Sequence, residues 1–122
     1  MERIRTFLHN GKLIHYFDYR GIEDEATFIE ALHAASAFLI NENKPSLQII
    51  DLTDVYITKG LITPILTEIE IFKPYVLKEA VLGIVGAKRI LFQTYTTFFP
   101  GKIKAFSDEE GALAWLTKDE KI

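Results

Sequence analysis

The chain has 122 residues and a mass of 14.0 kDa, which suits one domain with a single hydrophobic core and leaves no room for a second. Hydrophobic residues make up 48% of it and charged residues 25%, and no apolar run approaches the roughly 18 residues that cross a bilayer, so we expect a soluble globular protein. The absence of cysteine excludes disulfides, thiol nucleophiles and Cys-bound metals, and a net charge of -3 gives no general attraction for nucleic acid.

The N-terminal segment predicts a β-hairpin. Two runs rich in β-forming residues, 2–8 and 12–19, flank the pair Asn10-Gly11, which tolerates the positive φ angles of a tight turn. The second run is partly apolar on both faces, which indicates a strand inside a sheet. Because the charged N-terminus is not followed by an apolar segment of the secretory type, we expect a cytoplasmic protein.

A helix is predicted over residues 24–42, and Asp24 and the acidic residues beside it suit the positive end of its dipole. Its apolar residues recur at helical spacing: Phe28, Leu32, Ala35 and Leu39. Residues 47–52 form a short apolar run that is typical of a buried central strand.

A second helix is expected from about Gly60 to Phe72, with two possible starts. Thr58 caps it in the first case, and Pro64 should then kink it. In the second case Thr63 is the cap and Pro64 takes the first helical position, where its missing N–H does no harm.

The C-terminal half repeats the alternation of strand and helix. A strand is predicted over residues 80–85, a helix over 87–99 and a strand over 102–106. Residues 107–110, Ser-Asp-Glu-Glu, form a capping box ahead of a last short helix. The order ββαβαβαβα predicts a single α/β domain with a mixed, mostly parallel sheet of about five strands, and helices packed on it.

This order, together with residues 49–61, IIDLTDVYITKGL, resembles the STAS domain family, the fold of the anti-sigma-factor antagonists. The chain is more similar to the SpoIIAA-like branch, also described as STAS/SEC14-like, of small uncharacterised bacterial proteins. The segments that carry this resemblance cover nearly the whole chain: residues 18–21, DYRG; 80–86, AVLGIVG; 103–106, IKAF; and 114–116, AWL.

The resemblance implies a regulatory module that recognises a protein partner through the segment after the central strand. In the antagonists a partner kinase phosphorylates a serine of an Asp-Ser-Ser segment, whereas Ile57-Thr58-Lys59-Gly60 stands there in this chain. Thr58 is the only hydroxyl in register. It either receives a phosphate at a helix N-terminus beside Lys59 or only caps the helix.

The candidate partner or phosphorylation surface therefore consists of Asp51, Thr53, Asp54, Thr58 and Lys59. Within it, Asp51 and Asp54 either bind a cation or exchange protons, or else Asp51 caps a turn while Asp54 is solvated, and we favour the turn. No histidine shows metal-ligand spacing and no catalytic triad is visible, so we predict no catalysis, no metal and no cofactor.

A second candidate surface is basic. Lys88, Arg89, Lys102 and Lys104 form a patch for anionic lipid headgroups if the third helix ends near the last strand. The glycines at 83 and 86 join a strand to a helix as a phosphate-binding loop does, but their spacing is not that of a known nucleotide motif, and close packing explains them as well.

The third predicted helix is unusually aromatic, with Phe92, Tyr95, Phe98 and Phe99 nearly surrounding it. Such a helix is either deeply buried or covers an apolar ligand, a lipid or a second copy of the chain. The leading hypothesis is a non-catalytic cytoplasmic module that binds a protein partner. The alternative is a small carrier of an apolar ligand or lipid with a pocket under the second and third helices. Homodimerisation is a further hypothesis.

Overall fold

A computed structural model describes residues 3–119, and the predicted strand residue Glu2 lies outside that range. Five strands form one sheet in the order β1-β2-β3-β4-β5, with β1 antiparallel to β2 and the other neighbours parallel. The strands are β1 (Ile4–His9), β2 (Lys12–Asp18), β3 (Ser46–Asp51), β4 (Val76–Leu82) and β5 (Ile103–Phe106).

Helices connect the parallel strands and follow the last one. They are α1 (Glu25–Glu42), α2 (Ile62–Phe72), α3 (Lys88–Thr96) and α4 (Glu109–Leu116), with short 3-10 turns at Lys59–Leu61 and Lys73–Tyr75. Between residues 3 and 119, no helix combines the length and the apolarity needed to cross a membrane. The predicted order ββαβαβαβα is confirmed.

The sheet has a different apolar layer on each face. Side chains alternate along each strand, so Phe17 and Ile50 pack with α1 and α2, whereas Ile14, Ile49 and Ala80 pack with α4. Since β2 to β5 are adjacent in chain order, right-handed crossovers place α1, α2 and α3 together on the first face. We refer to these as the three-helix face and the α4 face.

Local sequence determines the hairpin and the first helix as predicted. Asn10 and Gly11 take φ angles of 50° and 76°, the left-handed values that a tight hairpin turn requires. The carboxylate of Asp24 accepts the backbone N–H of Thr27 at 2.8 Å and caps α1. Asn43, in the left-handed region, ends the helix.

The start of α2 differs from both predicted alternatives. Leu61 takes the N-cap position, and neither it nor Thr58 makes a side-chain capping bond. Thr63 lies inside the helix, and Pro64 is its third residue. Proline is tolerated in this first turn because the backbone N–H groups there have no partner within the helix.

Three other boundaries also need correction. Strand β4 begins at Val76, four residues before the predicted start, because pairing with β3 extends it through the charged residues Lys78 and Glu79. Helix α3 ends at Thr96, where threonine hydroxyls bond backbone carbonyls and compete with the helix. Asp108, rather than Ser107, caps α4 by accepting from Gly111 N–H at 2.7 Å.

Candidate functional site

A polar cluster, buried except for Arg20, closes the carboxyl ends of β2 and β3 on the α4 face. We call Tyr16, Asp18, Arg20 and Asp51 the edge cluster. The Tyr16 hydroxyl donates to Asp51 Oδ2, and Arg20 Nε lies 3.4 Å from the same oxygen. The other oxygen of Asp51 accepts the Thr53 N–H at 3.0 Å. Because Asp51 is only 3% exposed, its carboxylate stabilises the fold and is not available to a partner.

The charges of the edge cluster are paired with one another. Arg20 binds Asp18 through two bonds, Nε to Oδ1 at 3.0 Å and Nη2 to Oδ2 at 2.9 Å. These bonds lower the pKa of Asp18, although burial opposes them. Burial, and then the bond to Asp51, raises the pKa of Tyr16. At neutral pH Tyr16 is therefore a neutral donor and Asp18 an ionised acceptor.

The rest of the predicted partner surface lies in the loop after β3. Thr53, Asp54 and Lys59 are exposed, and Asp54 has a positive φ of 59°. Both carboxylate oxygens of Asp51 are bonded within the fold, one to Tyr16 and the other to the Thr53 N–H, which forms the favoured turn. No group of three or more side chains that could hold a metal ion occurs among residues 3–119. The structure thus leaves three of the five predicted residues accessible on this loop.

Thr58 makes a contact that bears on the predicted phosphorylation. Its hydroxyl donates to Glu25 Oε1 at 2.7 Å. The same carboxylate covers the following glycine, since a Cβ added at Gly60 would lie 2.2 Å from Glu25 Oε2. An internal carboxylate therefore occupies the place where a phosphate on Thr58 would extend, and like charges repel at such a distance.

The four predicted basic residues lie in two places. Lys88 and Arg89 begin α3 beyond the carboxyl end of β4, whereas Lys102 and Lys104 lie just before and within β5. Lys88 Nζ donates to the Leu52 carbonyl at 2.9 Å, and burial lowers the pKa of this lysine. The structure does not bring these residues together into one surface patch.

A cavity of about 100 Å³ lies between the sheet and the three helices that cover it. Its walls are mostly aliphatic and aromatic side chains from β2, β3, β4 and the inner faces of α1, α2 and α3. Representative wall residues are Phe17, Phe28, Leu32, Ile65, Phe72 and Leu91. This is the location that the sequence predicted for an apolar pocket, under the second and third helices.

Helix α3 forms the outer wall of this cavity. None of its residues is fully buried, yet Phe92 and Tyr95 line the cavity. Beyond the helix, Phe99 is buried and its ring centroid lies 5.2 Å from that of Tyr95. The aromatic face is therefore used within one copy of the chain, and the predicted homodimer gains no support from it.

Two polar residues lie on the floor of the cavity. Gln48 on β3 and Glu79 on β4 are opposite each other in register, 0% and 1% exposed, and both line the cavity. Tyr95 donates its hydroxyl to Glu79 Oε2 at 2.9 Å. Gln48 Oε1 is buried and has no hydrogen-bond partner among the described residues.

Burial changes the ionisation of Glu79. Removing its carboxylate from water raises the pKa of Glu79 to about 7, although the bond from Tyr95 opposes this. Burial likewise raises the pKa of Tyr19, which also lines the cavity, and the charge of Glu79 adds to the effect. The cavity thus combines apolar walls with one acid that changes charge near neutral pH, a combination typical of binding sites.

Comparison with known proteins identifies the fold. No protein-family model matches the sequence, and no curated protein is similar to it. The crystal structure of an uncharacterised protein of the DUF3478 family with a SpoIIAA-like fold, from Shewanella loihica PV-4, is similar, with a TM-score of 0.71 and 18% sequence identity. The match covers 93% of this chain and 91% of that chain. This chain has a SpoIIAA-like fold.

The SpoIIAA-like fold confirms the resemblance seen in the sequence, and at 18% identity the comparison concerns the fold alone. Within this fold the sequence motifs point to the loop after β3 and give no prediction for Gln48 and Glu79. One signal for them was present: each is a polar residue inside a run that becomes a buried central strand, SLQIID for β3 and VLKEAVL for β4.

Proposed function

We propose that this SpoIIAA-like chain is a non-catalytic cytoplasmic binding module that holds a small apolar ligand between its sheet and helices α1, α2 and α3. The observation that carries this proposal is the cavity itself, with its apolar walls and a few polar groups on the floor. Its helix wall α3 contains no fully buried residue, so it is the wall that can move outward with the least loss of packing.

The size of the cavity favours a ligand of about one ring. An apolar cavity of roughly 150 Å³ in another protein holds benzene, and the present volume is about 100 Å³. A ring therefore needs only a small outward movement of α3, whereas a long acyl chain would need a much larger space. This favours a small ligand over a membrane lipid.

Toluene tests the proposal directly. In an NMR titration of the unmodified protein, we expect toluene to shift the methyl signals of Leu32 and Ile65, which line the cavity, and to leave that of Leu8, which is 70% exposed. The proposal is wrong if the cavity methyl signals stay unchanged up to the solubility limit of toluene.

Two matched variants on α1 check the location of binding. Ala35 is buried and lines the cavity, whereas Ala37 is exposed on the same helix. Ala35→Leu should fill part of the cavity and weaken toluene binding at least about tenfold, and Ala37→Leu should leave it unchanged. Equal binding by both variants would locate the ligand elsewhere.

Recognition of a protein partner is the second candidate, and exposed apolar residues on two touching loops favour it. Tyr56 is 84% and Val85 62% exposed. The two loops are in close contact, since a Cβ added at Gly83 would lie 2.4 Å from Thr53 N.

Crosslinking in the source cells tests this surface. It should capture a partner that the double variant Tyr56→Ser/Val85→Ser loses and that Ala35→Leu retains. The reverse pattern would exclude this surface.

A further inference from the structure

The orientation of the Gln48 amide is determined by its neighbours. Its Nε2 donates to the Tyr75 carbonyl at 2.9 Å and to Ser46 Oγ at 3.1 Å. A backbone carbonyl only accepts, so the NH₂ group must face Tyr75, and a flipped amide would lose this bond. The oxygen that remains, Oε1, is a buried acceptor without a donor in residues 3–119.

A second acceptor lies directly across the strands. Glu79 uses one carboxyl oxygen, Oε2, to accept from Tyr95, and an ionised carboxylate has lone pairs for further donors. Gln48 and Glu79 are paired in register on parallel strands and line the same cavity. The polar floor of the cavity therefore offers acceptors, and an unmatched buried acceptor is unfavourable until a donor reaches it.

The other polar groups near the floor leave it with more hydrogen-bond acceptors than free donors. Tyr19 also lines the cavity, and its hydroxyl can both donate and accept. Lys88 also lines the cavity, but its Nζ donates to the carbonyl of Leu52. That carbonyl lies four residues beyond Gln48 along the chain, or about 13 Å along an extended strand. Glu68 on α2 lies 3.4 Å from His33 and is not part of the cavity lining.

We propose that the cavity selects ligands with a hydrogen-bond donor as the polar head, an alcohol or a primary amine carried on an apolar body about one ring in size. This inference rests on the proposed function. An alcohol donates to Gln48 Oε1, and an ammonium group also pairs with the Glu79 carboxylate. Above neutral pH a carboxylate head is disfavoured, because it would face the Gln48 oxygen and the negative charge of Glu79.

Four probes with the same ring test the head group: toluene, benzyl alcohol, benzylamine and benzoate. At pH 8, where Glu79 is ionised, we expect the alcohol and the amine to bind more tightly than toluene and benzoate to bind least. In Gln48→Met the preference for benzyl alcohol over toluene should fall about tenfold, since the acceptor is lost and the apolar walls remain. Gln93→Met, the same change at an exposed position of α3, should leave the preference intact.

A measurement on the unmodified protein keeps the test independent of whether Gln48→Met folds. The ¹³C signal of the Gln48 side-chain carbonyl should move when benzyl alcohol binds and stay in place when toluene binds.

The amine tests the role of Glu79. In the unmodified protein, the affinity for benzylamine relative to benzyl alcohol should rise between pH 6 and pH 8, because Glu79 ionises in that interval. It should not rise in Glu79→Gln.

The outcomes separate the two proposals. If toluene binds and the alcohol and the amine gain nothing over it, or if benzoate binds more tightly than toluene, the head-group inference is wrong and the apolar site stands. If toluene leaves the methyl signals of Leu32 and Ile65 unchanged, the proposed function fails, and the head-group inference fails with it.

Discussion

The side chains of Gln48 and Glu79 face one cavity from opposite positions on β3 and β4, in the middle of the sheet. Buried polar groups of this kind reduce stability unless every donor and acceptor is matched. Here Gln48 has one unmatched oxygen and Glu79 carries a raised pKa. This polar part of the core is therefore incompletely satisfied, and a matching ligand should stabilise the fold.

Replacing Glu79 by glutamine should alter how stability depends on pH. The pKa of Glu79 is about 7 in the fold, against 4.5 for an ordinary glutamate. As pH rises from 4.5 to 7, the unfolded chain loses this proton while the folded chain keeps it, so the free energy of unfolding falls. The free energy of unfolding of Glu79→Gln should not fall in this way. By pH 8 it should exceed that of the unmodified protein by up to about 3 kcal/mol.

Chemical denaturation across pH 4 to 8 measures this difference. Glu23→Gln, at an exposed position before α1, should follow the unmodified protein at each pH. A constant difference between Glu79→Gln and the unmodified protein over the whole range would contradict the raised pKa.

Removing the Tyr16 hydroxyl should destabilise the edge cluster. Tyr16→Phe leaves Asp51 without one of its donors in a buried environment, and an incompletely bonded buried carboxylate costs about 1 to 3 kcal/mol. Tyr56→Phe is the matched control, because the Tyr56 side chain is 84% exposed. Urea denaturation of both variants checks the prediction, and equal stabilities would show that the Tyr16–Asp51 bond contributes nothing.

Two glycines should respond very differently to alanine. A Cβ at Gly83 would lie 2.4 Å from the backbone nitrogen of Thr53, and its φ is +85°. At Gly86 the φ is +61° and the space is open. Gly86→Ala should lower the free energy of unfolding by about 1 kcal/mol from backbone strain alone. Gly83→Ala should lower it clearly more, because the loops that contain Gly83 and Thr53 must separate. Thermal unfolding ranks the two, and the reverse order would contradict the loop contact.

A negative charge at Thr58 should destabilise the start of α2. Thr58→Glu places a carboxylate beside that of Glu25 and removes the hydroxyl that bonds it, which we expect to cost about 1 kcal/mol. Thr58→Gln has the same shape without the charge and should cost less. In a Glu25→Gln background Thr58→Glu should lose this disadvantage relative to Thr58→Gln. A Thr58→Glu protein as stable as Thr58→Gln would make phosphorylation at this position compatible with the fold.

Much of the fold was predictable because short-range chemistry determines it. Asn10-Gly11 requires a hairpin turn, and Asp24 caps a helix with regular apolar spacing. The short, isoleucine-rich apolar run at β3 is typical of a buried strand. Such signals lie within a few residues of the elements they determine, so the element order followed from them, whereas the SpoIIAA-like architecture was implied by the resemblance.

The boundaries and the site depended on contacts between distant residues. The start of β4 is set by pairing with β3, which extends the strand through Lys78 and Glu79. Asp51 caps a turn by accepting from the Thr53 N–H, as the favoured alternative predicts. Its place in the candidate partner surface is wrong, because Tyr16, 35 residues away, bonds it inside the fold. Nothing in the spacing of Gln48 and Glu79 along the chain shows that they face each other.

The strand order, identical to the chain order, has a consequence for synthesis on the ribosome. Each strand pairs with the one made just before it, so the sheet can grow from the first hairpin as the chain emerges, with helices α1 to α3 covering one face in turn. The other face, which includes Ile14, Ile49 and Ala80, must wait for the eight residues of α4. A nascent chain stalled before Glu109 should therefore expose half of its core to chaperones and proteases.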